Sequence, residues 1–384
     1  MQRKYQLVIV GGGAEGQALA TEALRLGIQT ALVAASSTPA LPPKAAVQTL
    51  KTQGLTALGT VHQKLSSRYN PERLRALGID LYFGREIPAA KKIILAPETI
   101  PFVPQIPWME QIEPITTDNL WNLSQLPKHL VIWGGGAAGC ELAQAFAQWG
   151  TEVILLEKEA QLLPEEDWDV SQLFKNRLEQ QGIKVLTHAE VLRVQKIGKQ
   201  LQLEIREHDQ DKTLETERLC TALGRRPIQN NPAPKTTPPI CHDVSQARSL
   251  IHNTFFPFSK KPDELPKHRV VLTDPEMIRL GFSETEAKAK KIDYDILTHP
   301  LSLLDRAICT GQERGFIKVL TPKHSDQILG ITAVGPAVSE WCHEWRLVMR
   351  HKLGFKNLAH FQEHPVHFSE QKEKILQWLW KALP

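Results

Sequence analysis

The amino-acid sequence predicts an α/β protein made of two Rossmann-like units and a third, α+β region towards the C-terminal end. Three observations carry that prediction. Two short apolar runs, YQLVIV at 5–10 and HLVIW at 129–133, each end in a glycine-rich turn, GGGAEG and GGGAAG. Each turn opens a segment with helical spacing, and a second apolar run follows, IQTALVAA in one case and TEVILLE in the other. The chain has 384 residues, which is too long for one ordinary core. Strands buried on both faces read as continuous apolar runs, so these strand–turn–helix–strand units are the building blocks of parallel sheets. Their separation of about 120 residues marks a duplicated domain type and not a short-period solenoid.

Between the units, VQTLKTQGLTALGTVHQKLSSRY reads as helix interrupted by glycines, KKIILAP as a strand, and PETIPFVPQIP as a loop punctuated by proline. After the second unit, DVSQLFKNRLEQQGIKVL gives a helix and a strand. QLQLEIREHDQ and TLETERLCTAL alternate in the manner of an antiparallel hairpin. The stretch IQNNPAPKTTPPI at 228–240 is dense in proline and asparagine and reads as a loop. Beyond 263, YDILTHP, GFIKVL and ILGITAVG read as strands, and SEWCHEWRLVMRHKLG and SEQKEKILQWLWKAL as helices.

Composition narrows the function class. Hydrophobic residues make up 42% and charged residues 23%, values ordinary for a globular protein. The net charge of +4 is spread along the chain without a Lys/Arg block, so no nucleic-acid tract is expected. No segment offers a secretory leader or a membrane span, and the cytoplasm is the expected location. Five cysteines (Cys140, Cys220, Cys241, Cys309 and Cys342) include no C-x-x-C pair, which fits a reducing compartment.

The two turns have G-x-G-x-x-G at Gly11, Gly13 and Gly16 and at Gly134, Gly136 and Gly139. In such a turn the first glycine permits the bend, the second lets backbone approach a pyrophosphate, and the third lets helix pack on strand. The free amides and positive end of the helix N-terminus face the phosphates. The second unit ends its second strand in Glu157, placed to accept the adenosine ribose hydroxyls, which favours NAD(H) over NADP(H); Lys158 beside it weakens that preference. The first unit ends its second strand in ALVAASS, with no acid, so a dinucleotide there is expected to lack that anchor.

Taken together, VIVGGGAEG, LPPKA, VIWGGGAAGCE, LLPEED, TALGRRP, HDV, VVLTDPE, LGFSETEAKA, RGFIKVL, ILGITAVGPAVSE and EHPVHFSE resemble the class I pyridine nucleotide–disulfide oxidoreductases, in family order and over nearly the whole chain. The family includes dihydrolipoamide dehydrogenase, glutathione reductase, mercuric reductase and soluble transhydrogenase. The resemblance implies a shortened FAD-binding domain over 1–127 and 228–262, an NAD(P)-binding domain over 128–227, and a dimerisation domain over 263–384 that makes a homodimer. It implies FAD and a nicotinamide as cofactors, and Gly224 and Asp243 as further cofactor-binding positions.

The departures from the family pattern bear on chemistry. The two redox cysteines would fall at Ala35 and Ala40, where no thiolate can form. The A-T-G segment at the FAD edge reads ILAPE, and the G-D before the ribityl chain reads His242–Asp243. Lys44 matches the family lysine beside the flavin, and Glu141 its ion-pair partner beside the nicotinamide. His364 matches the general base that acts on the thiol across the dimer; its acid, Glu370, stands six residues on instead of five. No metal is expected from His360, His364 and His367. Cys140, at the start of the second helix, reads as a packing residue in preference to a reactive thiol. Trp378 and Trp380 mark interface or core.

Two functions follow. The preferred one is an FAD-dependent NAD(P)H oxidoreductase without a dithiol, passing hydride from nicotinamide to flavin and on to a small-molecule acceptor. The alternative is a catalytically inactive dimeric member that binds nucleotide or serves a regulatory or structural role.

Overall fold

The computed structural model describes residues 5–35, 41–42, 44–68, 70–84, 86–228, 238–241, 244–256, 268–341 and 343–354. The chain divides into two compact units: 1–105 with 113–127 and 220–263, and 106–112 with 128–219 and 264–384. The expected positions Ala40, Asp243, His360, His364, His367, Glu370, Trp378 and Trp380 lie outside the described residues.

The first unit is built on a four-stranded parallel sheet, in the order Asp80–Phe83, Thr30–Ala34, Tyr5–Val10, Ala90–Leu95. Successive side chains of a strand point to opposite faces. Leu7 and Ile9 accordingly join one core with Leu19, Ala20 and Ala23 of the helix Ala14–Arg25 and with Leu32. Tyr5, Val8 and Val10 join a second core with Ala31 and Val33. Both faces are covered, which is why 5–10 reads as an unbroken apolar run and does not alternate. The glycine-interrupted stretch folds as helices Ala45–Gln53 and Leu58–Arg68, broken at Gly54, whose φ of +81° no helix accommodates. Ile240 returns to pair in parallel with Leu95, so the segment after 238 extends the same sheet edge.

The second unit holds three sheets. The first has the order Arg218–Thr221, His129–Trp133, Glu152–Leu156, Lys184–Leu186, with the register of 129–133 on 152–156 repeating that of the first unit. The second is an antiparallel sheet in the order Gln210–Thr216, Gln200–Glu207, Ala189–Ile197, which contains the expected hairpin. The third is a five-stranded sheet in the order His268–Val271, Glu276–Gly281, Gly330–Gly335, Phe316–Pro322, Tyr294–Pro300. Its apolar core, with Ile278, Leu280, Ile317, Val319 and Ile331, is closed by Trp345 and Val348 of the helix His343–Arg350. Among the described residues no helix is long and apolar enough to cross a membrane.

Candidate dinucleotide sites

In the second unit the turn after His129–Trp133 bends at Gly134, where φ is +114°. A side chain there would be strained. At Gly139 a Cβ would collide with the Gly134 carbonyl, so the helix Ala137–Ala147 comes this close to the strand only because Gly139 has none. Gly136 behaves differently: a Cβ there would meet open space. A Cβ on Gly135 would meet Leu162 and Glu157, so the turn contains three glycines that its own geometry requires, Gly134, Gly135 and Gly139, and one, Gly136, with open space beside it.

Glu157, buried at the end of Glu152–Leu156, binds this turn. Its Oε2 accepts from Gly135 N at 2.7 Å and its Oε1 from Glu159 N at 2.9 Å. Lys158, the residue that weakens the NAD preference, pairs with Glu190 at 3.3 Å on an exposed surface. Cys140 is fully buried, and its Sγ donates to Gly135 O at 3.4 Å. Burial, reinforced by the charges of Glu141 and Glu157, pushes its thiol up, which agrees with a packing role.

Glu141 is buried on the same helix. Its Oε1 accepts from Leu272 N at 2.9 Å, and one turn on Gln144 accepts from Asp274 N at 2.7 Å and donates to Asp274 O at 3.0 Å. Glu141 thus also anchors the loop 272–274, a contact the sequence reading did not foresee. Lys44, in the first unit, is the half-buried N-cap residue of Ala45–Gln53.

The first turn repeats the second. Gly11 has φ +120°, and a Cβ on Gly16 would collide with the Gly11 carbonyl. Gly11 N donates to Val33 O at 2.7 Å, as Gly134 N does to Leu156 O at 2.9 Å, so Ala34 occupies the place of Glu157. The second strand of this unit ends without an acid, as its sequence reads, but a carboxylate reaches the turn from another segment. Glu98 Oε1 accepts from Gly12 N at 2.6 Å and from Ala35 N at 3.2 Å. Glu98 ends the altered ILAPE segment, which begins at the last two residues of Ala90–Leu95, the strand next to Tyr5–Val10 on the side away from Thr30–Ala34.

Glu98 lines a cavity of about 620 Å³ together with Gly13, Leu41, His62, Trp121 and Arg225. The volume is within the usual range for ligand pockets. His62 and Trp121 pack with ring centroids 5.3 Å apart and planes tilted by 58°. The Arg225 guanidinium is committed to the wall: it grips Asp118 through two hydrogen bonds of 2.6 and 3.0 Å and bonds the Thr99 carbonyl at 2.6 Å. Sequence reading chose Gly224, which is exposed, turns the chain at φ +89° and accepts from Phe102 N, and it missed Arg225 and Glu98. The acid in ILAPE was the available signal. No group of His, Cys, Asp and Glu placed to hold a metal exists among the described residues.

Residues 5–235 match the family model described as pyridine nucleotide-disulphide oxidoreductase, and residues 268–374 match the dimerisation domain of that family. The chain is 26% identical to a dihydrolipoyl dehydrogenase of Bacillus subtilis (strain 168), over 80% of this chain and 74% of that protein. It is 24% identical to a mercuric reductase of Lysinibacillus sphaericus, over 71% of this chain but only 56% of that protein. Among solved structures, the HOCl-induced flavoprotein disulfide reductase RclA from Escherichia coli superposes with a TM-score of 0.81. That match covers 96% of this chain and 99% of the other at 22% identity, and so speaks for the fold. With its family model matched over more than half the sequence, this chain belongs to the pyridine nucleotide–disulphide oxidoreductase family.

Proposed function

We propose that the chain is an FAD-dependent NAD(P)H oxidoreductase that has no redox dithiol and works as a homodimer. The carrying observation is the paired turn geometry: in each unit a carboxylate holds the amide of the second residue of a glycine-rich turn, at 2.6 Å in one and 2.7 Å in the other. The residues present fit a dinucleotide at the first turn, because Gly13 lines a cavity of ligand size and a Cβ there would meet only the Glu15 carboxylate, at 3.4 Å. When bound, FAD supplies hydride acceptance from a nicotinamide and onward transfer to an acceptor, chemistry that no side chain here can perform.

The chain's own part is to bind and orient. Amides at the start of Ala14–Arg25 and Ala137–Ala147 would receive the pyrophosphates of the two dinucleotides. Glu157 favours a nicotinamide dinucleotide with a free ribose diol, hence NAD(H). By the family resemblance Lys44 is assigned to the flavin and Glu141 to the nicotinamide, each within its own unit. With Ala35 and Ala40 in place of thiols, no disulfide relay is available at this site, and His364 has no thiol to deprotonate.

The test is the visible spectrum of the purified full chain. Flavin bands that bleach anaerobically with NADH, and that arsenite leaves unaffected, are the expected result. A colourless chain that takes up no FAD would overturn the proposal in favour of a non-catalytic nucleotide-binding scaffold.

A further inference from the structure

The first turn lacks the acid that ends the second strand of a dinucleotide-binding unit, because Ala34 stands there. Ala34 is equivalent to Glu157 by two independent criteria. The bond Gly11 N to Val33 O matches Gly134 N to Leu156 O. A Cβ on Gly12 would meet the Ala34 Cβ, as one on Gly135 would meet the Glu157 Cβ. Yet the amide that Glu157 holds in the second turn, Gly135 N, has a counterpart held in the first turn. Gly12 N donates to Glu98 Oε1 at 2.6 Å.

We propose that Glu98 is the adenosine-ribose anchor of the first turn, supplied by the loop after Ala90–Leu95 in place of the residue missing at Ala34. The assignment rests on the flavoprotein reading given above. Three features carry it. Glu98 Oε1 takes both amide bonds, from Gly12 and Ala35, so the carboxylate is fixed without using its second oxygen. Among the described residues Oε2 has no hydrogen-bond partner, whereas both oxygens of Glu157 accept from amides. The half-buried side chain lines the cavity that opens at Gly13. Its backbone is also held, since Ile228 N donates to Glu98 O at 2.9 Å. A carboxylate oxygen is an acceptor only, so it selects a ligand that brings hydroxyl donors and rejects one that brings a phosphate. The ligand class is therefore an adenine dinucleotide with a free ribose diol, as FAD has.

The test titrates the full-length chain, freed of nucleotide, with FAD and with an FAD analogue whose adenosine is 2′-deoxy. Wild type is expected to bind FAD about tenfold more tightly than the analogue, the usual worth of a hydrogen bond to a charged group. Glu98→Ala is expected to lose about that factor for FAD and to bind both ligands alike. Glu98→Gln, which keeps the shape and an acceptor for Gly12 N, should lose less. Equal affinity of wild type for FAD and analogue would overturn the assignment without any variant, and so would FAD binding unchanged in Glu98→Ala. Tighter binding in Glu98→Ala would overturn it as well, since Glu98 would then be a plug over the turn. If FAD binds and only the discrimination fails, the flavoprotein reading stands and the anchor falls. If wild type takes up no FAD, both fall together.

Discussion

Lys318 and Asp167 form a buried ion pair, Nζ to Oδ2 at 3.1 Å, in which neither side chain is more than 5% exposed. Asp167 does more than neutralise the ammonium. It accepts from the amides of Glu284 and Thr285 and from the Thr285 hydroxyl, and so caps the helix Glu284–Ala289 from a segment more than a hundred residues earlier. Asp169 Oδ2 lies 2.6 Å from the same ammonium. Removing one member of a buried pair leaves the other uncompensated and costs about 3–5 kcal/mol. Asp167→Ala should destabilise the second unit by about that amount, and Lys318→Met by somewhat less, because the hydrogen bonds from Glu284 and Thr285 keep Asp167 satisfied. Urea melts followed by tryptophan fluorescence measure both; a loss below about 1 kcal/mol for Asp167→Ala would show that the pair is not structural.

Next to this pair, Glu166 lies 2.8 Å from Arg279, both buried. Burial raises the Glu166 carboxyl from 4.5 to about 7, against the attraction of Arg279, which is shared with Glu286 at 2.8 Å. A raised carboxylate pKa means that the folded state holds a proton the unfolded chain has released. The contribution of Glu166 is therefore greatest below pH 4.5 and declines as the pH rises to about 7. Asp167 has the opposite sign. Burial opposes its ionisation, but the Thr285 hydrogen bond and the Lys318 charge outweigh it and lower its pKa, so its contribution is lost as the pH falls through the carboxylate range. Stability of Glu166→Gln relative to wild type should accordingly rise between pH 4.5 and 7, and a flat difference across that window would contradict the assignment.

The glycines of the second turn separate stability from binding. Gly139→Ala places a methyl group on the Gly134 carbonyl, and the unit should lose several kcal/mol or fail to fold. Gly136→Ala meets nothing, at a φ of −72° that alanine adopts freely. It should keep its thermal midpoint and lose NADH affinity by roughly tenfold or more, because the methyl occupies space a pyrophosphate needs. NADH fluorescence titration beside a thermal melt distinguishes the two, and unchanged affinity in Gly136→Ala would remove the ligand from this turn.

Glu157→Ala should weaken NADH binding by about tenfold or more, the loss of a hydrogen bond to a charged acceptor. Glu157→Gln, which still accepts from Gly135 N, serves as the control for the turn itself. Affinity for NADH unchanged in both variants would show that Glu157 only braces the backbone.

Thiol labelling offers a check that needs no variant. Burial pushes Cys220 up to about 12 and Cys140 higher still, whereas Cys309 is exposed. The thiolate is the reactive form. Iodoacetamide at neutral pH should modify Cys309 and spare Cys140 and Cys220 in the native chain, with all three modified after denaturation. Rapid native labelling of Cys140 would return it to the list of reactive groups.

Much of this architecture was legible without coordinates. The turns at Gly11–Gly16 and Gly134–Gly139, their flanking strands and the acid at 157 follow from local rules: a bend needs glycine, a strand buried on both faces needs an apolar run, and both signals lie within a few dozen residues. The absence of thiols at 35 and 40 is likewise a property of the sequence alone. What the sequence did not disclose is where the carboxylate of the first turn comes from. Glu98 and Gly12 are 86 positions apart, and they meet only because Tyr5–Val10 and Ala90–Leu95 pair in parallel, with Val10 opposite Leu95. The same holds for Asp167 with Thr285 and Glu141 with Leu272. Periodicity and turn chemistry act over neighbouring residues, whereas a buried carboxylate finds its donors across the fold, and only the packed chain decides which ones it reaches.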